Sequence, residues 1–121
     1  MVAYLLDTYA LIEIAEGNPA YRKYVAAKTY TTLFNLYEFY TQVLRKHGEA
    51  AAKKEFELFK RIHLPVKDSH IFLAAAVKLQ HAKARISYTD ALGYAIAEAE
   101  GLLFLTGDKE FSGWKNVEFV K

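Results

Sequence analysis

Short apolar runs alternate along the chain with longer stretches of helical period, and that alternation restricts the fold more than any other feature. Residues 2–6 (VAYLL), Thr29–Leu33 (TYTTL), Ile62–Val66, Leu102–Leu105 and Val117–Val120 have the length and composition of strands. After the first run, Asp7-Thr8 opens a pattern with Leu11, Ile12 and Ala15 at helix spacing, and Gly17-Asn18-Pro19 ends it and starts another helix. Leu36, Tyr37, Tyr40, Val43 and Leu44 form one apolar stripe, Gly48 closes that helix, and EAAAKKEFELFK makes the next. A helix is expected from Asp68 to about Ala82. Ser87 to Asp90 caps a further one, whose stripe of Ala91, Leu92, Ala95, Ile96 and Ala99 is small enough to lie close to a sheet, and Gly101 stops it. Such an order predicts a single α/β domain over residues 1–121, with a mainly parallel sheet of about five strands covered on both faces. Pro65 lacks an N–H, which assigns the third run to an edge.

Composition limits the class of protein. A chain of 121 residues, 53% hydrophobic and 25% charged, has enough apolar surface for a core and no run approaching the ~20 residues of a membrane helix. No basic segment with a small-residue cleavage site precedes the first strand, so a cytoplasmic protein that does not engage a membrane is expected. Zero cysteines exclude disulfides, thiolate zinc sites and cysteine nucleophiles. The net charge of +2 does not by itself announce a nucleic-acid binder, and the six Lys or Arg and three Glu between Arg45 and Arg61 read as a solvated helical face. Most of the nine tyrosines and eight phenylalanines read as core; Tyr9, Tyr21 and Tyr24 are candidates for a partner surface, with core or ordinary surface packing the favoured reading.

Four acids stand where a parallel sheet gathers its chemistry, outside the carboxyl ends of the strands. Asp7 follows the first strand, Asp108 lies just past the strand that ends at Leu105, Glu38 sits about a turn into the helix after TYTTL, and Asp90 is in the first turn of another helix. Each also has a plain structural reading: Asp7, Asp108 and Asp90 can serve as helix-start acids, and Glu38, near Thr41 and Arg45, can be a surface glutamate. Together they carry more weight. Two carboxylates ~5 Å apart repel by roughly 3 kcal/mol at an effective dielectric near 20, so four converging ones cost on the order of 10 kcal/mol unless protonated or neutralised. An all-oxygen set favours a hard cation, Mg²⁺ or Mn²⁺, and such ions serve phosphoryl chemistry. His47, His63, His70 and His81 show no i, i+4 pair, and no Gly-x-Ser-x-Gly occurs.

The segments LLDTYALIE (5–13), TTLFNLYEF (31–39), YTDALGYAIA (88–97) and LLFLTGDKEF (102–111) resemble, in order and spacing, the four acidic motifs of PIN-domain ribonucleases, most closely the VapC-type toxins of prokaryotic toxin–antitoxin pairs. The resemblance spans nearly the whole chain. It implies a three-layer α/β/α sandwich and divalent-metal-dependent endonucleolytic cleavage of RNA, often structured RNA such as tRNA, with water as nucleophile. It further implies a VapB-type antitoxin that blocks the cleft, and a homodimer. Asp7, Glu38, Asp90 and Asp108 match the family's metal-binding acids, Thr106 the hydroxyl residue of its Thr-x-Asp-x-x-Phe motif completed by Phe111, and Thr32 a small hydroxyl residue ahead of Glu38. Gly107 is expected to permit the tight turn before Asp108. Lys83, Arg85, Lys109, Arg45 and Lys46 are candidate phosphate contacts that position RNA without specifying its sequence. The segment from Lys83 to Tyr88 is compact, which leaves substrate choice open. Other readings are a PIN nuclease outside any toxin pair, a non-catalytic metal- or RNA-binding regulatory module, and a response-receiver domain. The last lacks the required paired acids, because Leu6 precedes Asp7.

Overall fold

The computed structural model describes residues 1–121. The chain runs β1 (Ala3–Leu6), α1 (Thr8–Ala15), a 3₁₀ turn (Pro19–Tyr21) leading into α2 (Arg22–Val25), β2 (Lys28–Tyr30), α3 (Leu33–His47), α4 (Glu49–Lys60), α5 (Asp68–Gln80), α6 (Tyr88–Ala99), β3 (Leu103–Thr106), a second 3₁₀ turn (Lys109–Phe111) and β4 (Val117–Phe119). The strands form one sheet in the order β2-β1-β3-β4, parallel at every pairing. From β1 the chain crosses to one side to make β2 and returns to the other side to make β3. The carboxyl ends of β1 and β3 therefore flank a topological switch point, where open α/β sheets form their crevice.

Strand periodicity builds the two cores. Leu5 and Phe104, paired across β1 and β3, point to one face and pack with Ala74, Val77, Tyr94, Ala95 and Phe111 under α5 and α6. Leu6 and Leu105, one residue on, face the opposite side and pack with Leu11, Tyr21, Leu36 and Phe39 under α1, α2, α3 and α4. The result is a three-layer α/β/α sandwich. Gly93 lets α6 lie against the sheet: a Cβ there would stand 2.9 Å from the Phe104 ring.

Two sequence expectations are corrected. The sheet has four strands, not about five, because Ile62–Val66 contributes only an isolated bridge, Thr31 to His63. Pro65 has no N–H to extend that pairing, and on the other side Thr32 already leaves the sheet to cap α3. Tyr21 and Tyr24 are buried in the core, as the favoured of their two readings expects; their hydroxyls donate to Val120 O at 2.5 Å and Glu118 Oε2 at 2.6 Å. Gly107 has no left-handed backbone. It is needed for space, since a Cβ there would fall 2.1 Å from the Tyr9 ring and 2.5 Å from Val120 O.

Candidate active site

The acids gather because the loops after β1 and β3 leave the sheet side by side, with Asp7 N donating to Leu105 O at 3.3 Å. Asp7 is the N-cap of α1. Its Oδ1 accepts from Ala10 N at 2.8 Å, and its Oδ2 accepts a very short hydrogen bond from Thr106 Oγ1. Thr106 Oγ1 in turn accepts from Asp108 N at 3.0 Å, and Asp108 Oδ1 accepts from Glu110 N at 3.0 Å, capping the second 3₁₀ turn. Asp90 closes a capping box on α6: Ser87 N donates to its Oδ2 at 2.9 Å, and its own N–H donates to Ser87 Oγ at 3.0 Å. Glu38, on α3, accepts from Thr8 Oγ1 through Oε1 at 2.6 Å. Capping occupies one oxygen of Asp90 and of Asp108 and leaves the other without a protein donor.

All four line one open cleft of about 820 Å³, together with Thr8, Tyr9, Thr41, Gln42, Ser87 and Gly107. Only 3% of Asp7 is exposed. Its carboxyl is lifted to about 7, first of all by burial and in smaller part by the charges of Asp90 and Asp108, against the lowering pull of the Thr106 and Ala10 hydrogen bonds. Asp90 is also raised, chiefly by burial and then, against its bonds from Ser87, by Asp108 and Glu38. The four acids therefore share one negative field. No three of them stand close enough to enclose an ion as they are. The donor set itself, carboxylate and hydroxyl oxygens with no sulfur or imidazole, fits a hard divalent cation and does not fit zinc.

The candidate phosphate contacts separate. Arg45 and Lys109 line the cleft, joined by Lys121. Lys46 points elsewhere and pairs with Glu16 at 2.8 Å. Lys83 and Arg85 are exposed and outside the cleft lining; the Arg85 backbone N–H donates to Glu110 Oε1 at 2.9 Å. Thr32 is fully buried as the N-cap of α3, accepting from Asn35 N at 3.1 Å. Sequence reasoning passed over Thr8, Asn35 and Lys121. Thr8 next to a capping acid, and Asn35 three residues after a capping threonine, read as local helix-start chemistry, and only the tertiary pairing of residues 8, 35 and 38 shows otherwise.

Comparison with known proteins follows the same lines. No curated protein matches the chain in sequence. Among solved structures, the fold is similar to a toxin–antitoxin complex from Klebsiella pneumoniae, at 19% identity and a TM-score of 0.74 over 95% of each chain. It is similar to VapC20 of Mycobacterium tuberculosis, a sarcin-ricin loop cleaving toxin, at 19% identity and a TM-score of 0.72 over 95% of this chain and 98% of that one. It is also similar to DNA-bound VapBC from Salmonella typhimurium, at 15% identity and a TM-score of 0.79 over 99% of this chain and 98% of that one. These identities establish likeness of fold alone. The family profile goes further: matching the PIN domain over residues 4–115, the chain belongs to the PIN domain family.

Proposed function

We propose that the protein is a divalent-metal-dependent endoribonuclease, a VapC-type toxin that cleaves structured RNA in the cytoplasm and is neutralised by a small VapB-type antitoxin. The observation that carries this reading is the convergence of Asp7, Glu38, Asp90 and Asp108 on one cleft at the switch point of the sheet. Membership of the PIN family and fold likeness to VapBC complexes support it. The similarity to VapC20, a sarcin-ricin loop cleaving toxin, supports structured RNA, such as tRNA, as the substrate class. No helix is long and apolar enough to cross a membrane.

Asp7, Glu38, Asp90 and Asp108 would hold one or two Mg²⁺ or Mn²⁺ ions. When bound, the cation lowers the pKa of a water and offsets the charge that builds on the phosphodiester. Thr106 fixes the rotamer of Asp7 by donating to Oδ2, and itself stays oriented because Asp108 N–H donates to it. The raised Asp7 carboxyl must lose its proton to serve as a ligand, which makes occupancy of the site pH-dependent. Arg45 and Lys109, both lining the cleft, offset phosphate charge and position the strand. A homodimer would use the α5 face, where Ile71, Phe72 and Leu79 are 54%, 71% and 79% exposed; light scattering tests this.

Cleavage of structured RNA by the purified, partner-free protein tests the main reading. Activity with Mn²⁺ that disappears in EDTA and in Asp7→Asn is expected, and adding the antitoxin should abolish it. Folded protein that binds Mn²⁺ and cleaves no structured RNA would move the function to binding or regulation.

A further inference from the structure

A buried chain of hydrogen bonds runs beneath Glu38. Thr32 Oγ1 donates to Asn35 Oδ1 at 2.7 Å, Asn35 Nδ2 donates to Thr8 Oγ1 at 3.2 Å, and Thr8 Oγ1 donates to Glu38 Oε1 at 2.6 Å. Thr32, Asn35 and Thr8 are 0%, 1% and 9% exposed.

Donor and acceptor capacity sets its direction. Thr32 Oγ1 already accepts from Asn35 N at 3.1 Å, and its single proton goes to the amide oxygen of Asn35. The amide nitrogen then faces Thr8. Thr8 accepts there, so its own proton is left for the carboxylate of Glu38, which can only accept. Turning the amide over would set an oxygen against Thr8, and one hydroxyl proton would have to serve two acceptors. Only the first arrangement satisfies every group.

Helix capping does not explain the chain. The cap of α3 needs Thr32 and the backbone N–H of Asn35 alone. Apolar side chains at 35 and 8 would pack there without the cost of burying an amide and a hydroxyl.

We propose that Thr32, Asn35 and Thr8 are positioning residues that hold Glu38 in one rotamer with Oε1 occupied, so that Oε2 alone is offered to the divalent cation. The inference rests on the reading of Glu38 as a ligand. Without the relay, Glu38 is a partly exposed, freely rotating side chain that the ion must order on binding. Outer-shell partners of metal ligands typically contribute 10–100-fold to affinity.

Titration of the whole chain with Mn²⁺ by calorimetry, in wild type, Thr8→Ser, Thr8→Ala and Glu38→Gln, tests the relay. Thr8→Ser keeps the hydroxyl and should bind within about twofold of wild type, whereas Thr8→Ala should bind about tenfold more weakly. In a Glu38→Gln background the Ser and Ala variants should bind alike, because the coupling runs through Glu38. A role in folding alone would lower the melting temperature of Thr8→Ala and leave its Mn²⁺ affinity at the Ser level, which would overturn the relay while the metal reading stands. Absence of Mn²⁺ binding by wild type would overturn both. Should Thr8→Ala not fold, Thr8→Val, closer in volume, takes its place against Thr8→Ser.

Discussion

Replacing Asp7 by Asn should stabilise the metal-free protein above neutral pH. The Asp7 carboxyl is lifted from 3.8 to about 7, first of all by burial. The folded chain therefore keeps a proton that the unfolded chain releases. This contribution to stability is complete below the unfolded value, near pH 4, and is lost as pH rises through 7. At ~1.4 kcal/mol per unit, the whole effect is about 4 kcal/mol, of which roughly 2.5 kcal/mol falls between pH 5 and 8. In a domain of this size 1 kcal/mol moves Tm by about 4 °C, so the wild type in EDTA should melt about 10 °C lower at pH 8 than this group allows at pH 5.

The Asn variant carries no charge to desolvate and should lose that slope. Its amide oxygen can still accept from Ala10 N–H, but the Thr106 hydroxyl loses a carboxylate acceptor, a loss of about 1 kcal/mol. Net stabilisation at pH 8 is then about 3 kcal/mol in EDTA. Saturating Mn²⁺ should raise the wild-type Tm at pH 8 and leave that of Asp7→Asn nearly unchanged. Thermal melts of both proteins from pH 5 to 8, with EDTA and with Mn²⁺, check this. Parallel wild-type and variant curves in EDTA, or a variant less stable than wild type at pH 8, would refute the reasoning.

Other consequences follow from single contacts. Gly107→Ala places a methyl group 2.1 Å from the Tyr9 ring and 2.5 Å from the Val120 carbonyl, and should destabilise the fold by about 3 kcal/mol in a denaturant titration. Tyr21→Phe removes the hydroxyl bond to Val120 O and should cost about 1 kcal/mol by the same measurement. Arg45→Ala and Lys109→Ala should each weaken RNA binding and flatten its logarithmic salt dependence by about one unit, read by fluorescence anisotropy, whereas Lys46→Ala should change neither.

Asp7 and Asp108 were legible from topology, because a carboxylate just past an apolar run in a parallel sheet has few places to go, whereas Glu38 and Asp90, on helices, stood out only through the likeness to the PIN motifs. The same logic gave the alternation of layers, with Leu5 and Leu6 entering opposite cores. What escaped was set by distant partners. The fifth strand failed because Thr32 leaves the sheet after a single bridge, and composition cannot show how many residues of TYTTL remain available for pairing. The need for Gly107 lies in Tyr9 and Val120, not in its own turn. Lys46 could have been excluded: Glu38, Thr41, Gln42 and Arg45 share one helical face, and the next residue lies about 100° away around the helix.

The central claim, hydrolysis of RNA at the acidic cleft by a metal-activated water, is tested most directly by the chemistry of the cut ends. A structured RNA would be cleaved in ¹⁸O-labelled water with Mn²⁺ and the fragments analysed by mass spectrometry, with EDTA and Asp108→Asn as controls. The account predicts a linear terminal phosphate carrying one solvent oxygen, formed by wild type and lost in both controls. A 2′,3′-cyclic phosphate as the enzymatic product, or cleavage undiminished by EDTA, would contradict it.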